Sequence, residues 1–465
     1  MRRRRWLVIL IGFPLVLALG RLAWFIYLSK PSRQITIGRE TTYVEGPVAG
    51  DGTVDFFAAA EQQAAVGVTP DNNAVVLLWE AFGSKPTTIG NWEEQFRRLG
   101  APVPQNPTVD EIQLDLLVEA SIRSRYYAPF MIHVDVPESR RLSNVLLPLS
   151  QSMREGVTRL AGRAGQRMAA GELDEAWEDI LACHRLTRLL AQDPFVINSL
   201  GGMAHDRSAC DASQALIAIP ELTADQARRC LRDLQSLPEF RPVAEKVDNV
   251  ERLAMLKRAM LLAHGEPLDT YAEEQVTLAL TGAIDWDIVL TIINDHFDQL
   301  VAAMRNPDVR EREYRLRQLA SAGETLPDVR IAFALQSFVG GREQASRDLA
   351  KIVIGAMPEF YFTCLSAETS TIARSRAEQI GFALAVFQRE LGEYPETLAV
   401  LVPDMMQEIP KDPWTGDAFL YHRTDDGFVL YSVGPNQRDD GGGLTSFEGS
   451  DDALMDDIIV RVESD

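Results

Sequence analysis

The first thirty residues, MRRRRWLVILIGFPLVLALGRLAWFIYLSK, constrain this chain more than any other stretch. Arg2, Arg3, Arg4 and Arg5 precede an apolar run from Trp6 to Leu28 that Arg21 alone interrupts with charge. Lipid leaves no water to satisfy backbone groups, so an apolar segment of this length can enter a bilayer only as a helix. Twenty-three helical residues would cover a hydrocarbon core of roughly 30 Å. Arg21 lies toward the far end, where its stem would snorkel to the interface, and Trp6, Trp24 and Tyr27 suit the interfacial belts. The positive-inside rule predicts residues 1–5 in the cytosol, an anchor over 6–28 and an exported body. A cleaved signal peptide ending near Ala18-Leu19-Gly20 is the competing expectation and exports the same body.

Charge separates the two parts. Net charge is −21, yet the first thirty residues hold six bases and no acid, leaving −27 for the rest. A body this acidic is a poor partner for a phosphate backbone, which argues against nucleic acid. Cys183, Cys210, Cys230 and Cys364 form no C-x-x-C pair and have no His at zinc-finger spacing. Buried free thiols are expected, with one disulfide as the alternative in an exported body.

After a linker over 29–54, residues 55–365 carry the three-to-four-residue spacing of helices and make one large helical domain or two subdomains. Segment 71–83 opens on a capping Asn or Asp and closes on Gly83. Segment 108–127 has Thr108 and Glu111 at capping-box spacing. In 139–192, Gly171 divides two helices, and Ala176, Ile180, Cys183, Leu186 and Leu190 form one buried stripe. Gly171-x4-Ala176 resembles the turn and second helix of a tetratricopeptide repeat, but without a second copy it implies a single hairpin. Further helices are expected over 222–236 (capped by Thr223), 241–264, 268–281, 286–305 and 309–322, and 323–365 reads as strand or helix.

Chemistry is sparse. Asp295, His296 and Asp298 are neighbours in sequence, but adjacent helical positions face apart, so a capped or solvated His is expected. His205 precedes Cys210 by five residues, which is not a nucleophile–base arrangement that sequence supports. The chain contains no G-x-S-x-G, P-loop, dinucleotide fingerprint or H-E-x-x-H. No catalytic residue is assigned, and a non-enzymatic role is expected. An exported hydrolase with scattered acids in the helical domain is the alternative.

Residues 366–465 form a module of their own pattern. Ala373, Ala377, Ile380, Leu384, Phe387 and Leu391 give a helix one narrow apolar face, ended by Gly392. A short turn after Pro395 follows, then strands over 419–422, 428–433 and 458–462. The expected fold is therefore mainly α, with an N-terminal transmembrane helix and a small C-terminal α+β module, one helix on a three-stranded antiparallel sheet. The succession LGEYP, TLAVLVP, IPKDPWTGDAFLYH, GFVLYSVGPN, a glycine-rich acidic loop and a closing DDI resembles the globular head of the major pseudopilins of type II secretion systems. The likeness covers about 90 of the 465 residues.

That resemblance implies a loop calcium ion, a hard cation taking six to eight oxygens. The positions implied are Asn436, Asp440, Asp456 and Asp457, with Asp439, Asp451 and Asp452 as substitutes. Asn436 replaces the family's charged ligand, and the spacing to Asp457 is longer than in the family. Pseudopilin head helices continue directly into the membrane segment. Here the anchor lies more than 300 residues upstream, so polymerisation as a pilin is not expected. The combined expectation is a single-pass protein of a bacterial inner membrane whose exported body is structural or binding in role. Its module would serve a secretion or envelope assembly, with secretion-machinery components as partners.

Overall fold

The computed structural model describes residues 20, 35–83, 92–103, 111–132, 142, 145–264, 284–322, 329–355, 358–425, 427–439, 441–442 and 458–462. The anchor segment 6–28, apart from Gly20, and the helix expected over 268–281 lie outside them. Among the described residues, no helix is long and apolar enough to cross a membrane.

The helices run α1 (Phe56–Ala64), α2 (Ala74–Phe82), α3 (Trp92–Arg98), α4 (Leu114–Ser121), α5 (Pro148–Ala169), α6 (Leu173–Leu190), α7 (Val196–Ala218), α8 (Ala224–Ser236) and α9 (Val243–Lys246). A π-turn over Val247–Glu251 leads into α10 (Arg252–Ala263), followed by α11 (Trp286–Met304), α12 (Val309–Ala322), α13 (Val329–Ile354) and α14 (Pro358–Leu391). Strands β1 (Leu420–Arg423), β2 (Phe428–Ser432) and β3 (Ile458–Val462) close the chain as an antiparallel sheet in the order β1-β2-β3. The mainly helical class and the three-stranded sheet agree with the sequence.

Local rules explain most boundaries. Asn73 caps α2 by accepting the Val75 N–H, and Thr223 and Gln226 cap α8 reciprocally. The stripe Ala176, Ile180, Cys183, Leu186 and Leu190 is fully buried on α6. One expectation fails. The helix expected over 108–127 shrinks to Leu114–Ser121, whose N-terminal Gln113 makes no side-chain cap. Arg125, Tyr126 and Tyr127 leave it because Arg125 pairs with Asn73 in a parallel bridge, and the Asn73 side chain bonds both the N–H and the carbonyl of Tyr127. The long-range carboxamide contact outweighs the weaker helical preference of an Arg-Tyr-Tyr run. Of the 323–365 stretch left open as strand or helix, the described parts are helical over Val329–Ile354 and from Pro358 on, with a kink where Gly341 takes a φ of 73°.

Three large hydrophobic cores share α7, and two of them also share α6. One lies between α2–α5 and α6, one among α9–α11 and α13, and one around the C-terminal sheet. Helix α14 differs from the sequence expectation. It begins at Pro358, well before position 371, and residue 366 lies inside it. It is also not buried along one narrow face. Ala377, Ile380, Phe382, Ala383, Leu384, Ala385 and Val386 are all fully buried. Sheet residues Phe428, Leu430 and Val460 pack with it in one core together with Trp177, Ile217 and Leu231 of α6, α7 and α8, and a Cβ at Gly381 would meet Ile217 and Val460 at 3.2 and 3.3 Å.

Residues 35–55 are tied down as well. Thr36 donates through N–H and hydroxyl to Asp287 at 2.9 and 2.6 Å, and Asn294 donates to the Glu40 and Thr41 carbonyls.

Candidate functional site

A buried polar junction sits where α6, α7 and α14 meet. His184, Thr187 and Arg188 occupy one face of α6 at helical spacing, and Asp206, Cys210 and Ser213 occupy one face of α7. Glu378 enters from α14. The His184 Nδ1 lies 2.9 Å from Asp206 Oδ1, and its Nε2 lies 2.9 Å from Glu378 Oε1 and 3.4 Å from Ser213 Oγ. Asp206 Oδ1 also accepts from Thr187 Oγ1 at 2.8 Å and Arg188 Nη1 at 3.1 Å. Arg188 donates further to the His184 and Pro238 carbonyls and stacks over the Phe240 ring at 4.7 Å.

Gly202 makes the junction geometrically accessible. A Cβ there would lie 2.6 Å from the Thr187 carbonyl, so only glycine lets α7 approach α6 this closely.

Electrostatics follow from these distances. Burial alone would hold the imidazole neutral, but the Glu378 and Asp206 carboxylates outweigh it and raise the His184 pKa to about 9. Burial likewise opposes ionisation of Asp206, and Arg188 and His184 overcome it, holding the carboxyl well below its usual range. At neutral pH the imidazolium and guanidinium therefore face two carboxylates. This charge balance is what allows four ionisable groups to stay almost wholly buried.

The same cluster has the composition of a metal site, since ligand atoms of His184, Asp206 and Cys210 lie within 4.8 Å of one another. The hydrogen bonds do not fit one. A ligating imidazole gives one nitrogen to the ion and donates the other N–H to an acceptor, whereas both His184 nitrogens here face carboxylates. Burial, together with the Glu378 and Asp206 charges, raises the Cys210 thiol well above its ordinary value, so it is not an activated nucleophile in this arrangement. The arrangement acts as an electrostatic clasp between the helical body and α14.

The loop after β2 was the site expected from sequence. Of Asn436, Asp440, Asp456 and Asp457, only Asn436 is among the described residues, as are none of Asp451 and Asp452. Its carboxamide oxygen accepts the Arg438 N–H at 2.8 Å, a turn within the loop. Asp439 accepts from the Tyr431 hydroxyl and the Gly441 N–H, both at 2.9 Å. Gly442, at a φ of 64°, brings the loop over the outer face of the sheet, where a Cβ would lie 3.0 Å from both Tyr431 and Val429. The described part of the loop thus contributes one of the implied calcium ligands and a packing reason for a glycine.

The KDPWTG turn is structural. Asp412 is buried and accepts from the Trp414 N–H and Ser432 Oγ at 2.9 Å and from the Val433 N–H at 3.3 Å, pinning the turn to β2. Trp414 packs with Val309, Ala373, Val433 and Ile458.

Other sequence candidates separate in space. Asp298 turns to Arg252 at 2.7 Å, Asp295 is exposed, and His296 is half-buried, with burial lowering its pKa. His205 is not the partner of Cys210, whose sulfur faces Asp206 and Glu378. All four cysteines are free. Three carboxyls raised by burial, the buried Asp193 (to about 6) and the half-buried Glu251 and Glu368, accept main-chain N–H groups of Phe195, Val196 and Val243 at the starts of α7 and α9.

No protein-family model, curated protein or solved structure matches the chain.

Proposed function

We propose that this chain is a single-pass, membrane-anchored extracytoplasmic protein with a structural and binding role. In this reading its C-terminal pseudopilin-like module docks on a secretion or envelope assembly. Residues 6–28 form the anchor, with residues 1–5 in the cytosol and the acidic body on the far side.

The observation that carries the reading is the enclosure of α14 between the sheet and α6–α8, closed by the His184–Glu378 contact. A helix used for filament assembly has to leave a face open for its neighbours. This one is committed to its own body, which favours a head held rigidly for recognition. The ionisable groups support a non-catalytic role. A catalytic group must reach substrate, and His184, Asp206 and Glu378 spend their hydrogen-bonding capacity on one another. Asp193, Glu251 and Glu368 serve helix starts instead.

Affinity purification of the full chain from detergent-solubilised membranes, followed by mass spectrometry, tests the docking. Recovery of secretion-machinery components supports it, and their absence under conditions that retain the chain rejects it. For a calcium ion at the Asn436 loop, melting with and without chelator is decisive. A lower midpoint in chelator supports the ion, and unchanged midpoints reject it.

A further inference from the structure

A cleft of about 280 Å³ opens between the end of α1, the strand-like segment at Arg125 and the α9 turn. Its lining is mostly polar, with Arg125, Arg241, the buried Lys246 and the single lining acid Glu245, while Val68 and Val250 supply apolar contact. Among the described residues, neither the Arg125 nor the Arg241 guanidinium has an ion-pair or hydrogen-bond partner. Elsewhere Arg98, Arg163, Arg188, Arg252, Arg305 and Arg423 each hold a carboxylate. Lys246 is buried and donates to the Asp193 main-chain carbonyl at 2.6 Å.

We propose that this cleft binds a small organic dianion, a dicarboxylate or a phosphate monoester, between Arg125, Arg241 and Lys246. The Lys246 ammonium already faces Asp193 and Glu245, so the Arg125 and Arg241 guanidinium groups are the charges left for a ligand to neutralise. Two guanidinium forks without internal partners are suited to paired oxygens. The volume admits a small ligand, and Val68 and Val250 give a short carbon chain apolar contact. The site is distinct from the buried clasp and does not depend on the docking reading.

Lys246 adds a pH signature. Burial pushes its ammonium down to about 8, opposed by Asp193, Glu245 and Glu368 and reinforced by Arg241. Its charge is present at pH 7 and lost as the pH passes through 8, so affinity falls in that window.

Titration calorimetry on the full chain in detergent tests the proposal, with glutarate, glycerol phosphate and acetate as probes. Saturable one-to-one binding of glutarate or glycerol phosphate is expected, with acetate at least about tenfold weaker. The better dianion identifies the source chemistry. Arg125→Ala and Arg241→Ala should each weaken binding by about tenfold or more. Their melting should stay unchanged, because neither side chain holds an internal partner. Arg159→Ala, which removes only an exposed pair with Glu155, should bind as the parent does. The proposal is overturned if neither dianion binds saturably, or if Arg159→Ala weakens binding as much as the cleft variants.

Discussion

Replacing Glu378 by Gln keeps the shape of the clasp and removes one of its two negative charges. In the parent, the His184 pKa stands at about 9, against 6.5 for an ordinary imidazole. A folded-state pKa above the unfolded value means that the charged form stabilises the fold. That stabilisation is complete below pH 6.5 and lost as the pH rises through about 9. The gap corresponds to roughly 3 kcal/mol. Glu378 is the largest of the charges that sustain it, so Glu378→Gln should forfeit most of this at pH 6. The variant also leaves two cations facing Asp206 alone, a situation that costs about 3–5 kcal/mol in buried pairs. Unfolding entropy for 465 residues is on the order of 1 kcal/mol per kelvin, so a single cooperative transition would fall by about 3 °C.

The assay is scanning calorimetry of parent and variant between pH 6 and 9.5. Taking the difference between the two proteins cancels every group that titrates alike in both. A gap that narrows as the pH passes from 6.5 to 9.5 is expected. A gap constant with pH, or one that widens toward alkali, would refute a charged His184 as the keystone.

Gly202→Ala places a methyl 2.6 Å from the Thr187 carbonyl and 3.3 Å from Ala191, so α6 and α7 must separate. A loss of about 1–3 kcal/mol is expected in chemical denaturation, and an unchanged midpoint would mean that the helices are not this close. Asp412→Ala leaves the Trp414 N–H and Ser432 hydroxyl without their acceptor in a buried turn. It should cost about 1–3 kcal/mol and raise hydrogen exchange at Trp414 and Val433 before the rest of the body.

Much of the helical architecture is legible in the chain. Thr223 with Gln226, Asn73 before α2 and Gly171 between α5 and α6 each specify a boundary through local geometry, and the α6 stripe identifies its buried face. These features depend on residues within one or two turns of each other. The clasp is different. His184 lies 22 residues from Asp206 and 194 from Glu378, and no local rule links positions so far apart. A partial signal was present in the polar residues at helical spacing on α6 and α7, where apolar residues would be expected of central helices. The reading of α14 as half-exposed failed for the same reason. Its second face is apolar because of α7 and α8, whose positions depend on the whole fold.

The sequence by itself determined the helical class, the antiparallel character of the three C-terminal strands and the charge contrast between the first thirty residues and the rest. Periodicity, turn chemistry and composition act over short ranges, and a linear reading captures them. Tertiary structure decided which polar residues meet. It packed α14 against both the sheet and the helical body, turned Asp412 into a staple on β2 and left Arg125 and Arg241 unpaired around one cleft. Burial and Coulomb interactions act through space, and they assign a role to a His or an Arg only once the chain has brought its neighbours there.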